Sequence, residues 1–195
     1  MRRAVDVVVA TVAALVLAPV LLVVAGAVRW RLGSPVLFRQ VRVGRDGIEF
    51  SIVKFRTMRP PRWAGEPDAD RDSALGRRLR AMSLDELPQL WNVLAGDMSV
   101  LGPRPTLPEQ VADYTDRQRG RLAIRPGLTG WAQVNGRNSI SWPERIELDL
   151  HYIDNRSVVM DARIVWRTCL QLVRPTGIYG PGGVNMGFPT KEGDG

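Results

Sequence analysis

At 195 residues, with 45% hydrophobic and 24% charged side chains, the chain suits about one domain with a core of its own and is too apolar for wholesale disorder. One cysteine, Cys169, and one histidine, His151, exclude an intramolecular disulfide and a Cys/His zinc cluster. The 27 Lys and Arg against 20 Asp and Glu give a formal charge of +7, which implies an anionic partner without choosing among nucleic acid, phospholipid and phosphorylated small molecules.

Val7 to Val28 is a run of 22 residues without a charge, flanked by Arg2, Arg3 and Asp6 before it and by Arg29 and Arg31 after it. As a helix it would be about 33 Å long, enough for a bilayer core and longer than the apolar stretch of a signal peptide. Arginines at both ends lack the asymmetry expected of a spanning helix. Pro19, in the middle, removes one backbone hydrogen bond and crowds the carbonyl of Leu15, so a bend is expected there. Two readings follow: a kinked spanning helix, or a helix that bends at Ala18-Pro19 and returns to the face it entered. Trp30, between two arginines, has the composition that settles among lipid headgroups.

Val36–Val43 and Ile48–Met58 are β-rich and joined by Gly44-Arg45-Asp46-Gly47, whose Asp-Gly pair predicts a hairpin. Alternation puts Ile48, Phe50, Ile52, Lys54 and Arg56 on one face, so Lys54 and Arg56 form either a solvated cationic edge or an anion site. Residues 60–72 read as a connector, in which Asp68-Ala69-Asp70 imitates an acidic metal-binding triplet by composition. Leu75–Met82 predicts a basic helix with Arg77, Arg78 and Arg80 toward anionic headgroups.

Ser83–Leu94 predicts a helix that starts at Asp85, so that Pro88 falls in its first turn, with Leu84, Leu87, Leu90, Trp91 and Leu94 on one face. Ser83 and Glu86 match a capping box. Gly96 ends this helix, Asp97 caps the turn that follows, and Gly102-Pro103-Arg104-Pro105 is a rigid turn displaying one arginine. Glu109–Leu122 reads as a polar helix. The stretch from Arg125 to Trp142 reads as a loop whose Gly127, Gly130 and Gly136 would let backbone amides approach phosphates. Met160–Val173 is amphipathic, suited to core or interfacial contacts. The last 20 residues hold seven glycines and predict a mobile tail.

The chain lacks a phosphate-binding Gly-x-x-x-x-Gly-Lys loop, a GxGxxG turn, a Gly-x-Ser-x-Gly elbow and a histidine-based triad. With one histidine, acid–base work falls to carboxylates or to the substrates. His151 itself reads as structural. The candidates are Asp85 and Glu86, Asp97, Arg104, Arg137, and the pair Lys54 and Arg56. Trp131 and Trp142 read as packing residues, with base stacking as the alternative. Aromatics at 7% and the absence of a reader motif argue against a nucleic-acid partner.

Five segments are recognisable: Lys54-Phe55-Arg56-Thr57-Met58, Ser83-Leu84-Asp85-Glu86-Leu87-Pro88-Gln89-Leu90, Asn92-Val93-Leu94-Ala95-Gly96-Asp97-Met98-Ser99, Gly102-Pro103-Arg104-Pro105, and the stretch from Arg125-Pro126-Gly127 to Gly136-Arg137-Asn138. In this order, from Arg2 to about Arg174, they resemble the bacterial sugar transferases known as monotopic polyprenyl-phosphate phosphoglycosyl transferases, in their minimal catalytic form. The resemblance implies transfer of a sugar-1-phosphate from a UDP-sugar to polyprenyl (undecaprenyl) phosphate with release of UMP. This is the first membrane step of exopolysaccharide, O-antigen, capsule or glycoprotein glycan synthesis.

It further implies Mg²⁺ as cofactor, Asp85 as nucleophile with a ping-pong phospho-sugar intermediate, and Asp85 and Glu86 as metal ligands. A re-entrant helix broken before a proline is implied as well, here Ala18-Pro19 where the family often has Ser-Pro. The expected architecture is α+β: a re-entrant membrane helix (1–30), a mainly helical cytosolic catalytic domain with a small β-hairpin and interfacial amphipathic helices (31–175), and a Gly-rich tail (176–195). The expected place is the cytoplasmic face of the bacterial inner membrane, in contact with membrane lipid and with room for a homodimer.

The physics agrees with these roles. A carboxylate approaching a diphosphate is repelled unless cations cover the oxygens, and Mg²⁺ with Lys54, Arg56, Arg104 and Arg137 as substrate-binding cations would supply that cover. A rival reading, a membrane-anchored adaptor binding anionic lipid or protein, explains the anchor and the charge but gives the Asp-Glu pair no purpose.

Overall fold

The computed structural model describes residues 2–136 and 139–173. Its elements in chain order are α1 (Arg2–Leu32), β1 (Leu37–Val43), β2 (Glu49–Phe55), α2 (Asp68–Arg71), α3 (Ala74–Ala81), α4 (Leu90–Ala95), β3 (Ser99–Leu101), α5 (Pro108–Ala112), α6 (Asp116–Arg119), β4 (Gly127–Thr129), α7 (Trp131–Val134), α8 (Trp142–Asp154) and α9 (Val158–Val173). The chain is α+β, as expected. It divides into two compact units, Met1–Gln40 with Ile52–Leu94, and Val41–Ser51 with Ala95–Gly195.

In the first unit α1 runs as one helix with Pro19 inside it, and it is long and apolar enough to cross a membrane. Leu15, Val16, Leu22 and Val23, in its middle, are among its most exposed side chains, while its buried residues, Asp6, Ala10, Val24 and Val28, lie nearer its ends. Val24 and Val28 pack with Phe55 and Leu79, and Leu21, Leu32, Leu75 and Leu84 close around them. Burying such side chains stabilises by about 1.5–3 kcal/mol each, which binds the C-terminal half of α1 to β2 and α3.

Residues 60–72, read as a plain connector, are tied down by a buried acid. Glu66 accepts hydrogen bonds from both terminal nitrogens of Arg59 and from the backbone N–H of Arg62 (2.7 Å). Those bonds, from Arg59 first, hold its carboxyl at about 2, well below the usual range. The Asp68–Asp70 triplet falls in α2, and among the described residues no group of three His, Cys, Asp or Glu side chains is placed to hold a metal.

Of the three arginines expected to face headgroups, Arg80 instead turns inward. It donates to the Thr57 hydroxyl (2.8 Å) and pairs with Asp72, whereas Arg77 and Arg78 are exposed. α3 starts on Ser73, whose hydroxyl accepts from the Gly76 N–H and donates to the Thr57 carbonyl, both at 2.9 Å. A side chain at Gly76 would put its Cβ 1.9 Å from that carbonyl oxygen, so only glycine fits.

The hairpin of β1 and β2 forms where predicted. Its turn takes positive φ at both Asp46 (58°) and Gly47 (80°), the geometry that makes an Asp-Gly pair a hairpin signal.

The second unit is built on a short parallel pair, β3 with β4, in the register Ser99 to Gly127 and Leu101 to Thr129. Gly127 and Gly130 serve this pairing: a Cβ on either would lie 2.1 Å from the backbone of Gly102. Two of the three glycines expected to admit phosphates thus admit the backbone at Gly102, while Gly136 lies against the Ile140 side chain. One core gathers Val43, Val111, Tyr114, Ile146 and Leu150, a second gathers Val134, Tyr152, Met160 and Ile164.

The predicted polar helix over 109–122 is in fact broken into α5, α6 and a 3-10 turn, because Thr115 starts a new helix with its own capping box. α8 was not anticipated. Its start carries a capping box, Ser141 with Glu144, and Pro143 in the first turn.

Candidate active site

Asp85 and Glu86 sit at the start of a 3-10 turn, Leu84–Gln89, that leads directly into α4. Ser83 before it is in the left-handed region (φ 56°, ψ 20°). For a residue with a side chain this costs on the order of 1–3 kcal/mol, a cost that accumulates at functional sites. The same conformation defeats the capping box. An N-cap requires extended backbone, and the Ser83 side chain makes no capping bond.

Glu86 is held instead by Lys54 of β2, Nζ to Oε1 at 2.9 Å, with the two side chains 16% (Lys54) and 22% (Glu86) exposed. Asp85 is more sheltered, at 8% of its surface. Pro88 is accommodated because the segment is a 3-10 turn and not the interior of an α-helix.

Asn92, to which its sequence context assigns no role, joins the site's two elements. It is buried in α4, and its Oδ1 accepts the backbone N–H of Val53 at 3.0 Å. α4 is thereby pinned to β2 one residue before Lys54. The expected apolar face changes accordingly: Trp91 is 68% exposed, and Val93 takes a buried place beside Leu90. A 3-10 turn has three residues per turn, so the 3.6-residue spacing used to assign that face drifts across it.

Lys54 lies in β2 and Arg56 directly follows its last residue, Phe55, and the two do not share an environment. Arg56 is buried, and its guanidinium donates to the carbonyls of Leu32 and Ser34 (3.2 Å to the latter), closing the C-terminal end of α1. The Leu32 carbonyl is one that a helix cannot satisfy by itself. In this structure Arg56 is a strut between β2 and the membrane-length helix.

In the second unit Arg104 stands exposed on its Pro-flanked turn. The Arg104 carbonyl accepts from Arg121 Nη2 at 3.0 Å. Arg121 is enclosed, donating also to Asp149 Oδ2 (2.6 Å) and the Tyr114 hydroxyl (2.7 Å). Burial pushes the Asp149 carboxyl up despite the attraction of Arg121. Burial lowers the Arg145 guanidinium, and the like charges of Arg104 and Arg121 lower it further.

The charges of Arg121 and Arg145 thus act on one enclosed carboxylate while that of Arg104 acts on Arg145, a setting with excess positive potential. A cleft lined by Gly44, Pro103, Arg104, Thr106, Arg121 and Pro126 opens beside them.

Trp142 packs on the core, with the Arg145 guanidinium 4.7 Å from its ring centre; Trp131 packs on the other core. Both are packing residues here. His151 is exposed on α8. Gly96 turns the chain after α4 with φ 99°, and its carbonyl accepts from Arg125 Nε at 2.7 Å. Arg137 lies outside the described residues, as does the Gly-rich tail.

The first unit therefore brings Asp85, Glu86 and Lys54 together, and the second presents Arg104 on a braced loop. The bacterial sugar transferase family model matches residues 1–175. The uncharacterized sugar transferase EpsL of Bacillus subtilis is 45% identical over 86% of this chain and 84% of its own length. The UDP-glucose:undecaprenyl-phosphate glucose-1-phosphate transferase of Caulobacter vibrioides is 41% identical, over 91% of this chain and 72% of its own. The exopolysaccharide production protein ExoY of Rhizobium meliloti is 35% identical, over 91% and 88%. Since the match takes in α1, the Asp85 turn and the Arg104 loop alike, the chain is an enzyme of the bacterial sugar transferase family.

Proposed function

We propose that this enzyme transfers a sugar-1-phosphate from a UDP-sugar to a polyprenyl phosphate, undecaprenyl phosphate in a bacterium, and releases UMP at the cytoplasmic face of the inner membrane. The observation that carries the reading is the sheltered Asp85 carboxylate beside the Lys54–Glu86 pair, on a strained turn. The Caulobacter relative, similar over 91% of this chain, is named for such a transfer from UDP-glucose.

In the first half-reaction an Asp85 oxygen attacks the phosphorus that carries the sugar. The bond from that phosphorus to the bridging oxygen breaks, and UMP leaves with the electron pair. In the second, a phosphate oxygen of the polyprenyl phosphate attacks the same phosphorus, Asp85 departs as a carboxylate, and a lipid diphosphosugar is formed. The low exposure of Asp85 suits a mixed anhydride that must survive in the presence of water. Lys54, already in place on Glu86, supplies a cation at the carboxylate turn. Arg104 and Arg137 bind phosphate oxygens through their planar forks.

Asp85 and Glu86 also offer the one or two carboxylates with which Mg²⁺ is held when substrate phosphates and waters complete its shell. When bound, the ion supplies neutralisation of the diphosphate oxygens.

Re-entry of α1 belongs to the same proposal. Arg3, near one end of the helix, donates to the carbonyls of Val93 and Leu94, while Val24 and Val28, toward the other, pack on Phe55 and Leu79. Were α1 to span, roughly 30 Å of hydrocarbon would separate Arg3 from those carbonyls. A helix bent at Pro19 keeps both ends on one side, where the lipid phosphate and a cytosolic nucleotide sugar meet.

The test is UMP release from a panel of UDP-sugars with polyprenyl phosphate and Mg²⁺. Donor alone should add the mass of one sugar-phosphate to Asp85. A protein that releases no UMP from any donor, or that carries the mass elsewhere, would overturn the assignment.

A further inference from the structure

The contacts that fix α1 do more than anchor it. α4 is six residues long, too short to be stable by itself, and its last carbonyls have no partner within the helix. Val93 is fully buried, so bulk water does not serve that end freely. The group that does serve it comes from the start of α1: Arg3 Nη2 donates to the Leu94 carbonyl at 2.8 Å and Nη1 to the Val93 carbonyl. A guanidinium suits the place twice over, since its fork matches two adjacent carbonyls and its charge complements the negative end of a helix.

α4 continues directly from the turn that carries Asp85 and Glu86, and through Asn92 it holds the strand that carries Lys54. The opposite end of α1 is held by Arg56, two residues after Lys54 and directly beyond the end of β2. α4 and the chain leaving β2 are thus each joined through an arginine to one end of the membrane-length helix.

We infer that Arg3 is a positioning residue for the Asp85 turn, so that seating of the N-terminal end of α1 sets the geometry of the carboxylates as well as their place at the membrane. The inference rests on the phosphoryl-transfer reading above. Its consequence is that a protein tethered to lipid by other means, but without this guanidinium, is bound and slow.

The test uses the full chain in lipid nanodiscs, wild type against Arg3→Ala and Arg3→Lys, with UMP release and amide hydrogen exchange measured side by side. The loss of a charged hydrogen-bond donor pair predicts turnover reduced about 10- to 100-fold in Arg3→Ala. The donor KM should stay within about twofold, since a positioning contact acts on the transition state more than on donor binding. Exchange should rise over residues 84–95 and not elsewhere. Arg3→Lys keeps the charge without the fork, and should recover part of the turnover and part of the protection.

Wild-type turnover in Arg3→Ala overturns the inference, and so does a loss of turnover with unchanged exchange over 84–95. If Arg3→Ala does not accumulate in the membrane, Arg3→Lys decides, and wild-type values on both measurements overturn it. The exchange arm needs no substrate, so it reads the positioning separately from the reaction, which wild-type UMP release tests by itself.

Discussion

Two ion pairs, one in each unit, show two uses of charge. Lys54–Glu86 joins a strand to the carboxylate turn with both side chains partly open to solvent, 16% and 22%. Arg121–Asp149 is shut in at 2% and 1%, with the remaining guanidinium nitrogens spent on Tyr114 and the Arg104 carbonyl. A partly exposed pair contributes up to about 1 kcal/mol and can exchange partners when an anion arrives. Removing one member of an enclosed pair strands the other, at about 3–5 kcal/mol. The first pair is therefore suited to turnover and the second to holding a loop in place.

The largest effect should come from the carboxylate that neither pair contains. Asp85→Asn should lower UMP release more than a thousandfold, about 4 kcal/mol in the barrier, with thermal unfolding unchanged. Breaking the enclosed pair comes next. Asp149→Ala should cost about 3–5 kcal/mol of stability, read as a lowered melting temperature in detergent, because Arg121 is left charged without its partner.

Lys54→Ala should invert that pattern, with stability within about 1 kcal/mol of wild type but UMP release down roughly 10- to 100-fold. Equal losses of stability from Lys54→Ala and Asp149→Ala would erase the contrast. Arg104→Ala should leave folding intact, since Arg121 binds the backbone carbonyl and not the side chain, and reduce turnover about tenfold.

The smallest effect lies in the acid limb of stability. Glu66 has its carboxyl lowered to about 2 from 4.5, so its contribution is complete above about pH 4.5 and is lost as pH falls through about 2. Glu66→Gln should remove that segment of the pH dependence, measured by melting temperature between pH 5 and 2.

What could be read from residues alone follows the range of the forces. The hairpin was legible because Asp46 and Gly47 are adjacent and both need positive φ. A single histidine left Asp85 and Glu86 among several candidates, and the role proposed for them was legible only through the resemblance of their motif to the family. The partner of Glu86 was not: a local capping box competed with a lysine 32 residues away, and the left-handed Ser83 decided for the lysine. Nor did alternation separate Lys54 from Arg56. It assigns a face, while the end of α1 decides which of the two is buried. The start of α8 was within reach, since Ser141, Pro143 and Glu144 state it locally. The purpose of Gly127 and Gly130 was not, because the backbone they admit comes from Gly102.

Gly76 has a mechanical consequence. With no room for even a methyl group between it and the Thr57 carbonyl, α3 rests on bare backbone a few residues beyond Lys54. Close-packed contacts transmit displacement where flexible side chains would absorb it in rotamer changes. A push on the outward Arg77 and Arg78 is then delivered as movement to the segment that follows β2, which makes this corner of the first unit a stiff link between its surface and the strand that carries Lys54.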